Sequence, residues 1–547
     1  MAAGHGYPGR VRALSRLNRP AVAIVAVTLL AGWLRIVHVS HPSDYVFDEV
    51  YYPKAACILV GWSNDTCTID SSDEQYWRTT KWDVGSWVHP PLGKWEIALG
   101  IKLFGMRSFG WRISSVIAGT LVVTLTAVMA QLLFGSALWT AVAGLLMAVE
   151  NLNVVMSRVG LLDIHLEFWI VLAFVLFLLD RRWIDRRQAA ADDAATLPVE
   201  PEDPDPPPDR ADALHPGHSS TVGDEPAGVA TEAAPSRPVA VSPIWRPWRF
   251  AAGAALGAAA AVKWSGVFAL FAVVVLAYMW ETTRRHRGDR TWMRALGRAV
   301  TRESFGIVLA LLLTPIAIYM ITWLPWFHHF AWSWHDWVAN MGATWDFHHN
   351  GIQWTTLDPK TGLQTPTHPY YAHPGGWILL LRPISFYVKD IGTSTEQILA
   401  IGNPFIFWAS VIALPYVLLT WRRMRDWRAG FVVVAFLGQY VPWFLQTRPT
   451  FFFYVLPLVP FMVLAVTWAC RDLSEAKIVV REPDTGEVAV NPETGEPAIS
   501  TTHVYRPFVV AYLIAVVVVF WLFWPILTAG RITDLHLRTI VWFRRWI

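Results

Sequence analysis

The sequence is poor in charge and in cysteine. Only 16% of its 547 residues are Asp, Glu, Lys or Arg, and 45 basic residues so nearly balance 42 acidic ones that the formal net charge at pH 7 is +3. Such a balance gives no global polybasic signature, which makes nucleic acid a poor candidate partner. Three cysteines are too few for a disulfide-stapled scaffold. Cys57 and Cys67 share one polar loop, which is compatible with a disulfide if the loop faces an oxidising compartment and equally with two free thiols; Cys470 stands alone at the end of an apolar run. The sequence lacks repeats of solenoid or propeller period, and it lacks the related halves that transporters show. No small-residue cleavage site follows the first apolar stretch, Ala21 to Val39, which reads as a signal anchor behind Arg10, Arg12, Arg16 and Arg19.

What the chain has instead is apolar length. Hydrophobic residues make up 54% of it and are gathered into runs long enough to span a bilayer near 21–39, 110–133, 137–156, 164–183, 248–263, 266–281, 304–323, 396–420, 429–446, 451–470 and 507–527. The expectation is an all-α polytopic membrane protein with about eleven crossings. The segment Gly93 to Met106 is shorter and carries Lys94, Glu96 and Lys102, which suits a helix lying at the interface. With that segment on the surface, the clusters Arg181, Arg182, Arg186 and Arg187, then Arg284 to Arg302, then Arg422, Arg423, Arg425 and Arg428 all fall in the cytoplasm with the N-terminus.

That topology divides the chain. Residues 1–20 form a cytoplasmic tail, 21–183 a first membrane module with an external loop at 40–109, and 248–470 a second module with an external loop at 324–395. Between them, 184–247 is a cytoplasmic insertion whose Pro-, Ala- and acid-rich stretch 188–243 is expected to be disordered. Residues 471–506 form a cytoplasmic loop with a hairpin-like excursion, and 507–547 a last helix with an external tail.

Polar residues collect on the external side. Asp48 and Glu49 stand among aromatic side chains shortly after the first span, where shielding from water can raise a carboxylate pKa and make it a general base; helix capping by both acids is the plain alternative. Neighbours on a helix point about 100° apart, so one acid would do the chemistry while the other binds or braces. His89 and Lys94, flanking Pro90-Pro91-Leu92-Gly93, lie where a cation can meet a lipid phosphate. Arg112, the turn Ser157 to Asp163, His165 and Glu167 follow, with Glu150 and Asn153 inside a span, where such groups tend to face a cavity.

Phe47-Asp48-Glu49, His89-Pro90-Pro91-Leu92-Gly93-Lys94, Trp111-Arg112-Ile113, Ser157-Arg158 with Leu161-Leu162-Asp163, Lys263-Trp264-Ser265-Gly266 and Gly402-Asn403-Pro404, in that order, resemble the protein O-mannosyltransferases, from about residue 30 to 470. The resemblance implies a GT-C fold and transfer of mannose from a polyprenyl phosphate to Ser or Thr hydroxyls of secreted or membrane proteins, with inversion, on the external face of the cell membrane. It makes Asp48 the base and Glu49 the reserve, and it assigns Arg112 and Arg158 to the donor phosphate, with His89, Lys94 and Arg382 as weaker contacts. Asp163, Tyr370, Tyr371, His373 and Trp377 are expected to bind the sugar or the acceptor. No metal and no cofactor beyond the lipid-linked donor are implied, and the secretion translocon is a candidate partner. The β-trefoil module of eukaryotic members is missing, which fits an actinobacterial type.

Two competing readings remain: a GT-C transferase acting on an envelope glycolipid or polysaccharide, and a lipid or solute transporter. The loop 324–395 holds seven of the 17 His, but neither His328-His329 nor His348-His349 has the i, i+4 spacing of a helical zinc motif, and no Cys accompanies them. Trp334 and Trp337 are expected to pack against neighbouring helices. Of 32 Trp, twelve fall in the two external loops, which puts the aromatic surface where a sugar and a peptide would meet.

Overall fold

The computed structural model describes residues 19–69, 73, 88–196, 244–286, 291–329, 331–349, 355–360, 362–479, 499–501 and 503–546. The expected tail at 1–18, the insertion at 197–243 and the interior of the 480–498 excursion lie outside the described residues.

The chain opens with α1 (Arg19–Ile36), a 3-10 turn at Phe47–Val50, and the short helices α2 (Tyr52–Leu59) and α3 (Asn64–Cys67). Then come α4 (Leu92–Phe104), α5 (Ser108–Phe134), α6 (Ala137–Ala148), α7 (Asn151–Met156), α8 (Asp163–Thr196), α9 (Pro247–Val262), α10 (Gly266–His286) and α11 (Trp292–Val308). A π-helical turn at Leu309–Leu313 leads into α12 (Thr314–Thr322), followed by α13 (Leu324–His329) and α14 (Trp334–His349). Strands β1 (Thr355–Leu357), β2 (Gln364–Pro366), β3 (Ile384–Ile391) and β4 (Ser394–Ala400) precede α15 (Pro404–Met424) and α16 (Trp427–Tyr440). The remainder is a 3-10 stretch at Phe452–Leu458, α17 (Val459–Ser474), β5 (Lys477–Val479), β6 (Ile499–Thr501), α18 (Arg506–Leu527), β7 (Arg531–Thr533) and α19 (Asp534–Ile540).

Among the described residues, eight helical stretches are long and apolar enough to cross a membrane: Arg19–Ile36, Ser108–Phe134, Gly266–His286, Trp292–Thr322, Pro404–Met424, Trp427–Leu445, Phe452–Ser474 and Arg506–Leu527. The other three expected spans take different forms. The run 137–156 breaks into α6 and α7 because Glu150 turns back to cap the second helix, its carboxylate accepting from Asn153 N at 2.7 Å and from Asn403 N at 2.9 Å. Glu150 and Asn153 therefore face no cavity; Asn153 bonds the buried Arg35 and Glu167. α8 has an apolar stretch bracketed by Asp163, Glu167 and Asp180, and it runs on to Thr196, into the segment expected to be disordered. α9 has 16 residues and packs tightly: a Cβ on Gly253 would lie 1.8 Å from Ala310 O, and one on Gly257 2.6 Å from Pro315 O, so this Gly-x-x-x-Gly face crosses the π-turn backbone to backbone.

The expectation of a wholly helical chain needs one correction on the external side. The first residues of the apolar run 396–420 form β4, and the helix begins only after Asn403, whose side chain accepts from Phe405 N. β4 pairs antiparallel with β3 on one side and β7 on the other, so the segment after α18 is stitched to the loop before α15. Trp546 then inserts fully, donating from its indole to Leu380 O at 2.8 Å. Two further strand pairs are short: β1 with β2, and β5 with β6, which closes the base of the 480–498 excursion.

These contacts constrain topology. Tyr387 on β3 bonds Asp44, so the loop after α1 and the loop before α15 lie on one side. Three of the eight apolar stretches separate those loops, an odd number. Parity is restored when one or all of α6–α7, α8 and α9 also cross.

At the opposite end, four helix ends are tied by buried ion pairs. Arg246 bridges Asp180 and Glu281, Arg249 reaches Glu303 at 3.3 Å, and Arg284 and Arg285 bond Glu281 and Glu303 at 2.7 Å each. Removing one cation would leave carboxylates buried without compensation. Arg246→Met is expected to cost about 3–5 kcal/mol of stability, read as a lowered unfolding midpoint of the purified protein in detergent, whereas exposed Arg422→Met should leave the midpoint in place.

Candidate functional site

The site is built on the loop that follows α1. Arg158 ends that helix by donating to the carbonyls of Leu34, Arg35, Val37 and His38, at 3.3, 3.0, 2.7 and 3.2 Å. Arg112 fixes the loop itself. Its Nε and Nη2 grip Glu49 at 2.8 and 2.7 Å, and its other N–H groups reach the carbonyls of Val39, Pro42 and Asp44. Glu49 also accepts from Val46 N at 2.9 Å and Gly160 N at 2.6 Å, and is wholly buried. All five donors of Arg112 and both oxygens of Glu49 are thus committed.

In a 3-10 turn successive side chains diverge by about 120°, so anchoring Glu49 inward turns Asp48 another way. Asp48 is half-buried, and among the described residues its carboxylate accepts no hydrogen bond. Burial pushes its pKa up to about 6; Lys263 nearby opposes the rise and Asp163 adds to it. A carboxylate held without a partner near neutral pH has the properties of a general base.

Lys263 and Asp163, the two charges that act on it, line a cavity of about 790 Å³. Most of its wall is apolar, including Leu166, Ile170, Phe268, Leu312 and Ile316, while His89, Asp163, Lys263, His348, Arg448 and Tyr454 gather as a polar group. Lys263 is paired with Asp163 at 2.8 Å. Arg448 has no carboxylate partner among the described residues; it donates to His348 Nδ1 and to Tyr454 Oη. His348 Nε2 lies 2.9 Å from Val88 O, and a carbonyl can only accept, so Nε2 carries the proton and Nδ1 is free to receive Arg448. Burial and Arg448 hold the pKa of His348 down at about 4, and burial with Lys263 and His348 holds that of His89 well below its ordinary value. Both imidazoles are therefore neutral at physiological pH. The Arg448 guanidinium is left as an oriented cation facing open volume.

The structure redistributes the residues singled out from sequence. His89 and Asp163 line the cavity, and Asp48, which does not line it, lies within electrostatic reach of Asp163 and Lys263 in its wall. Lys94 is buried behind it, donating to His89 O at 2.6 Å. Glu49, Arg112 and Arg158 brace the loop, with their hydrogen-bonding capacity turned inward, away from where a phosphate could enter. Arg382 bonds Pro369 O and does not line the cavity. Tyr370, Tyr371 and His373 sit outside it too; His373 accepts from Gly375 N. Trp377, expected to meet the acceptor, is fully buried with its indole on Ala372 O and its ring packed 5.6 Å from Trp443. Trp337 packs as expected, its ring 6.0 Å from those of Trp323 and Phe327, and also lines the cavity; Trp334 stacks on Phe327 at 5.8 Å but stays 58% exposed. Trp77, Trp82, Trp87 and Trp354 lie outside the described residues.

Sequence reasoning passed over Lys263, His348 and Arg448. Lys263 was signalled by its position as a lone cation between two apolar runs, and Arg448 by its place in a short turn between spans. His348 belonged to a pair weighed only as metal ligands; among the described residues no group of three or more His, Cys, Asp or Glu is placed to hold an ion. Cys57 and Cys67 are joined as a disulfide between α2 and α3.

Comparison with known proteins bears on this geometry. The family model for dolichyl-phosphate-mannose-protein mannosyltransferase matches residues 25–189, and that for the C-terminal four TMM region of protein-O-mannosyltransferase matches residues 348–546. The chain is 27% identical over 482 residues to a polyprenol-phosphate-mannose–protein mannosyltransferase of Mycobacterium tuberculosis, covering 82% of this chain and 80% of the other. It is also 27% identical over 569 residues to the protein of that name in Corynebacterium glutamicum, covering 97% and 94%. In three dimensions it is similar to a chain of the S. cerevisiae protein O-mannosyltransferase Pmt1-Pmt2 complex bound to the sugar donor, with a TM-score of 0.63 at 14% identity over 97% of this chain and 93% of that one.

The brace has a measurable signature. Arg112→Lys should cost about 3 kcal/mol by stranding Glu49 and three carbonyls, while the KM for the lipid donor stays unchanged; a raised donor KM at unchanged stability would return Arg112 to the phosphate.

Proposed function

We propose a function from one premise: the chain belongs to the protein O-mannosyltransferase family. It is a multi-pass membrane enzyme of the GT-C fold that transfers mannose from a polyprenyl phosphate to Ser or Thr hydroxyls of proteins. The observation that carries the assignment of roles is that Asp48, whose carboxylate accepts no hydrogen bond among the described residues, lies within electrostatic reach of Lys263 and Asp163, which form part of the polar end of a cavity whose remaining wall is mostly apolar.

In this reading the polyprenyl chain occupies the apolar part, and its phosphate lies at Arg448, with Lys263 as the second cation. A Ser or Thr hydroxyl attacks the anomeric carbon, Asp48 takes the proton as the new C–O bond forms, and the bond to phosphate breaks on the opposite face, inverting the centre. The departing phosphate needs no proton, because the guanidinium fork meets its charge. His348 aims that fork and is itself kept neutral, so it adds no competing charge. With the leaving group's charge met by protein cations, the reaction as proposed runs without a divalent metal or other cofactor. Glu49 and Arg112 position the base and do not touch substrate.

The active site is assigned to the external face of the plasma membrane. Two observations support this: the arginine clusters near 181–187, 284–302 and 422–428 belong to the opposite ends of the helices, and Cys57–Cys67 is a disulfide on the side of the site. Acceptor chains would arrive there unfolded, beside the secretion translocon.

The test is transfer of radiolabelled mannose from polyprenyl phosphate mannose to a Ser/Thr-rich peptide. Asp48→Asn should lower kcat by about 10²–10⁴-fold with the protein still inserted and folded. Because the base works only when deprotonated and its pKa is raised, kcat/KM of the parent should fall as pH drops through about 6, well above the range of an ordinary Asp. Transfer should persist in chelator; loss of activity restored by a divalent ion would overturn the proposed leaving-group stabilisation.

A further inference from the structure

The external sheet has an open edge, and that edge runs beside the base. In the order β3-β4-β7, β4 is covered on both sides, and β3 is outermost over its eight residues. Among the described residues, no backbone N–H or C=O of Ile384 to Ile391 bonds to any element except β4. The turn between β3 and β4 has two residues, Gly392 and Thr393, with Gly392 at φ +63°, which makes Ile391 and Ser394 the hydrogen-bonded closing pair. From there the antiparallel ladder alternates, so the N–H and C=O of Val388 and Asp390 point outward.

The edge is also joined to the catalytic loop. Phe386 stacks on Phe47 with ring centroids 4.4 Å apart, one residue before Asp48, and Tyr387 and Lys389 reach Asp44 at 3.1 and 3.4 Å. A long unpaired strand edge is a template for another chain, and proteins ordinarily cover it, shorten it or interrupt it with proline. Among the described residues β3 is neither covered nor interrupted by proline; it carries a bulge between Ser385 and Tyr387 and one lysine, Lys389, which Asp44 holds, so the regular stretch open to pairing is Tyr387 to Ile391.

We propose that β3 receives the acceptor polypeptide as an added strand, in extended conformation, with its hydroxyl-bearing residue delivered toward Asp48. The inference rests on the function proposed above and names how the second substrate is held. Pairing through the backbone is indifferent to side-chain sequence, as modification of many different proteins requires, and it rewards unfolded segments. The two-residue period of a strand then sends alternate side chains toward the catalytic loop and away from it. Continuity with the Asp48 loop favours an acceptor over a second copy of this chain as the occupant.

The test uses the full-length enzyme and two series of measurements. Val388→Pro removes one outward N–H while sparing the face paired with β4, since proline is tolerated at outward positions of edge strands. Its KM for the acceptor peptide should rise about tenfold, with the KM for the lipid donor unchanged. Independently of any variant, a peptide series with single N-methylated amides should lose turnover at every second position flanking the modified Ser or Thr. Equal loss at all positions, or at none, would overturn the strand. A Val388→Pro enzyme that changes from dimer to monomer with an unaltered peptide KM would overturn it in favour of a second copy. Failure of the parent enzyme to mannosylate any peptide would remove the proposed function, and the strand with it; a flat methylation profile with a working parent removes the strand alone.

Discussion

Arg112 holds Glu49 with two of its N–H groups and three carbonyls of the chain leaving α1 with the others. An arginine is suited to this because its fork is planar, permanently charged and able to satisfy several acceptors at once. Everything at the cavity follows from that grip. It sets where α1 gives way to the catalytic loop, it turns the second acid of an Asp-Glu pair inward, and it thereby presents the first acid without a partner. A buried charge pair of this kind contributes little net stability compared with apolar packing, so its value lies in the geometry it specifies. The two carboxylates differ by one position and have opposite fates: one is saturated by hydrogen bonds, and the other is left with burial and a raised pKa.

Much of this was legible in the sequence, and the failures have physical causes. Apolar runs found the helices, and the Asp-Glu pair after the first span found the carboxylate with the raised pKa, because both signals are local. The partners of a charge are not local. Arg112 and Arg158 read as phosphate ligands from their sign and depth, yet Arg112 is bonded to a buried acid and a loop, and Arg158 to a helix end, that the sequence cannot place beside them. The oriented cation instead comes from Arg448, and it is aimed by His348, a hundred positions earlier. The external sheet was invisible because β4 runs almost directly into α15, so strand and helix merged into one apolar stretch. Glu150 shows the reverse effect: its charge inside a span suggested a lined cavity, and it proved to be the cap at which the span breaks.

The two ends of the molecule handle charge differently. At the inner end, arginines and acids neutralise one another in a closed network that ties helix ends together. Near the cavity, among the described residues, the Arg448 guanidinium has no carboxylate partner and the Asp48 carboxylate accepts no hydrogen bond. Closed networks hold shape, and open ones do work on a substrate; the same residue types serve both ends, distinguished only by whether their partners are already present.

The pairing of β7 with β4, and the burial of Trp546 against Leu380, carry a consequence for biogenesis. β4 is synthesised well over a hundred residues before β7, and four membrane segments must be inserted between them. Until α18 has crossed, β4 lacks its second neighbour and the pocket for Trp546 stands empty. The active-site side of the molecule therefore completes its tertiary structure only after the last helix is in place. A chain that stalls or inserts with the wrong number of crossings would leave that surface unfinished, so the tail works as a latch that reports correct insertion of the whole bundle.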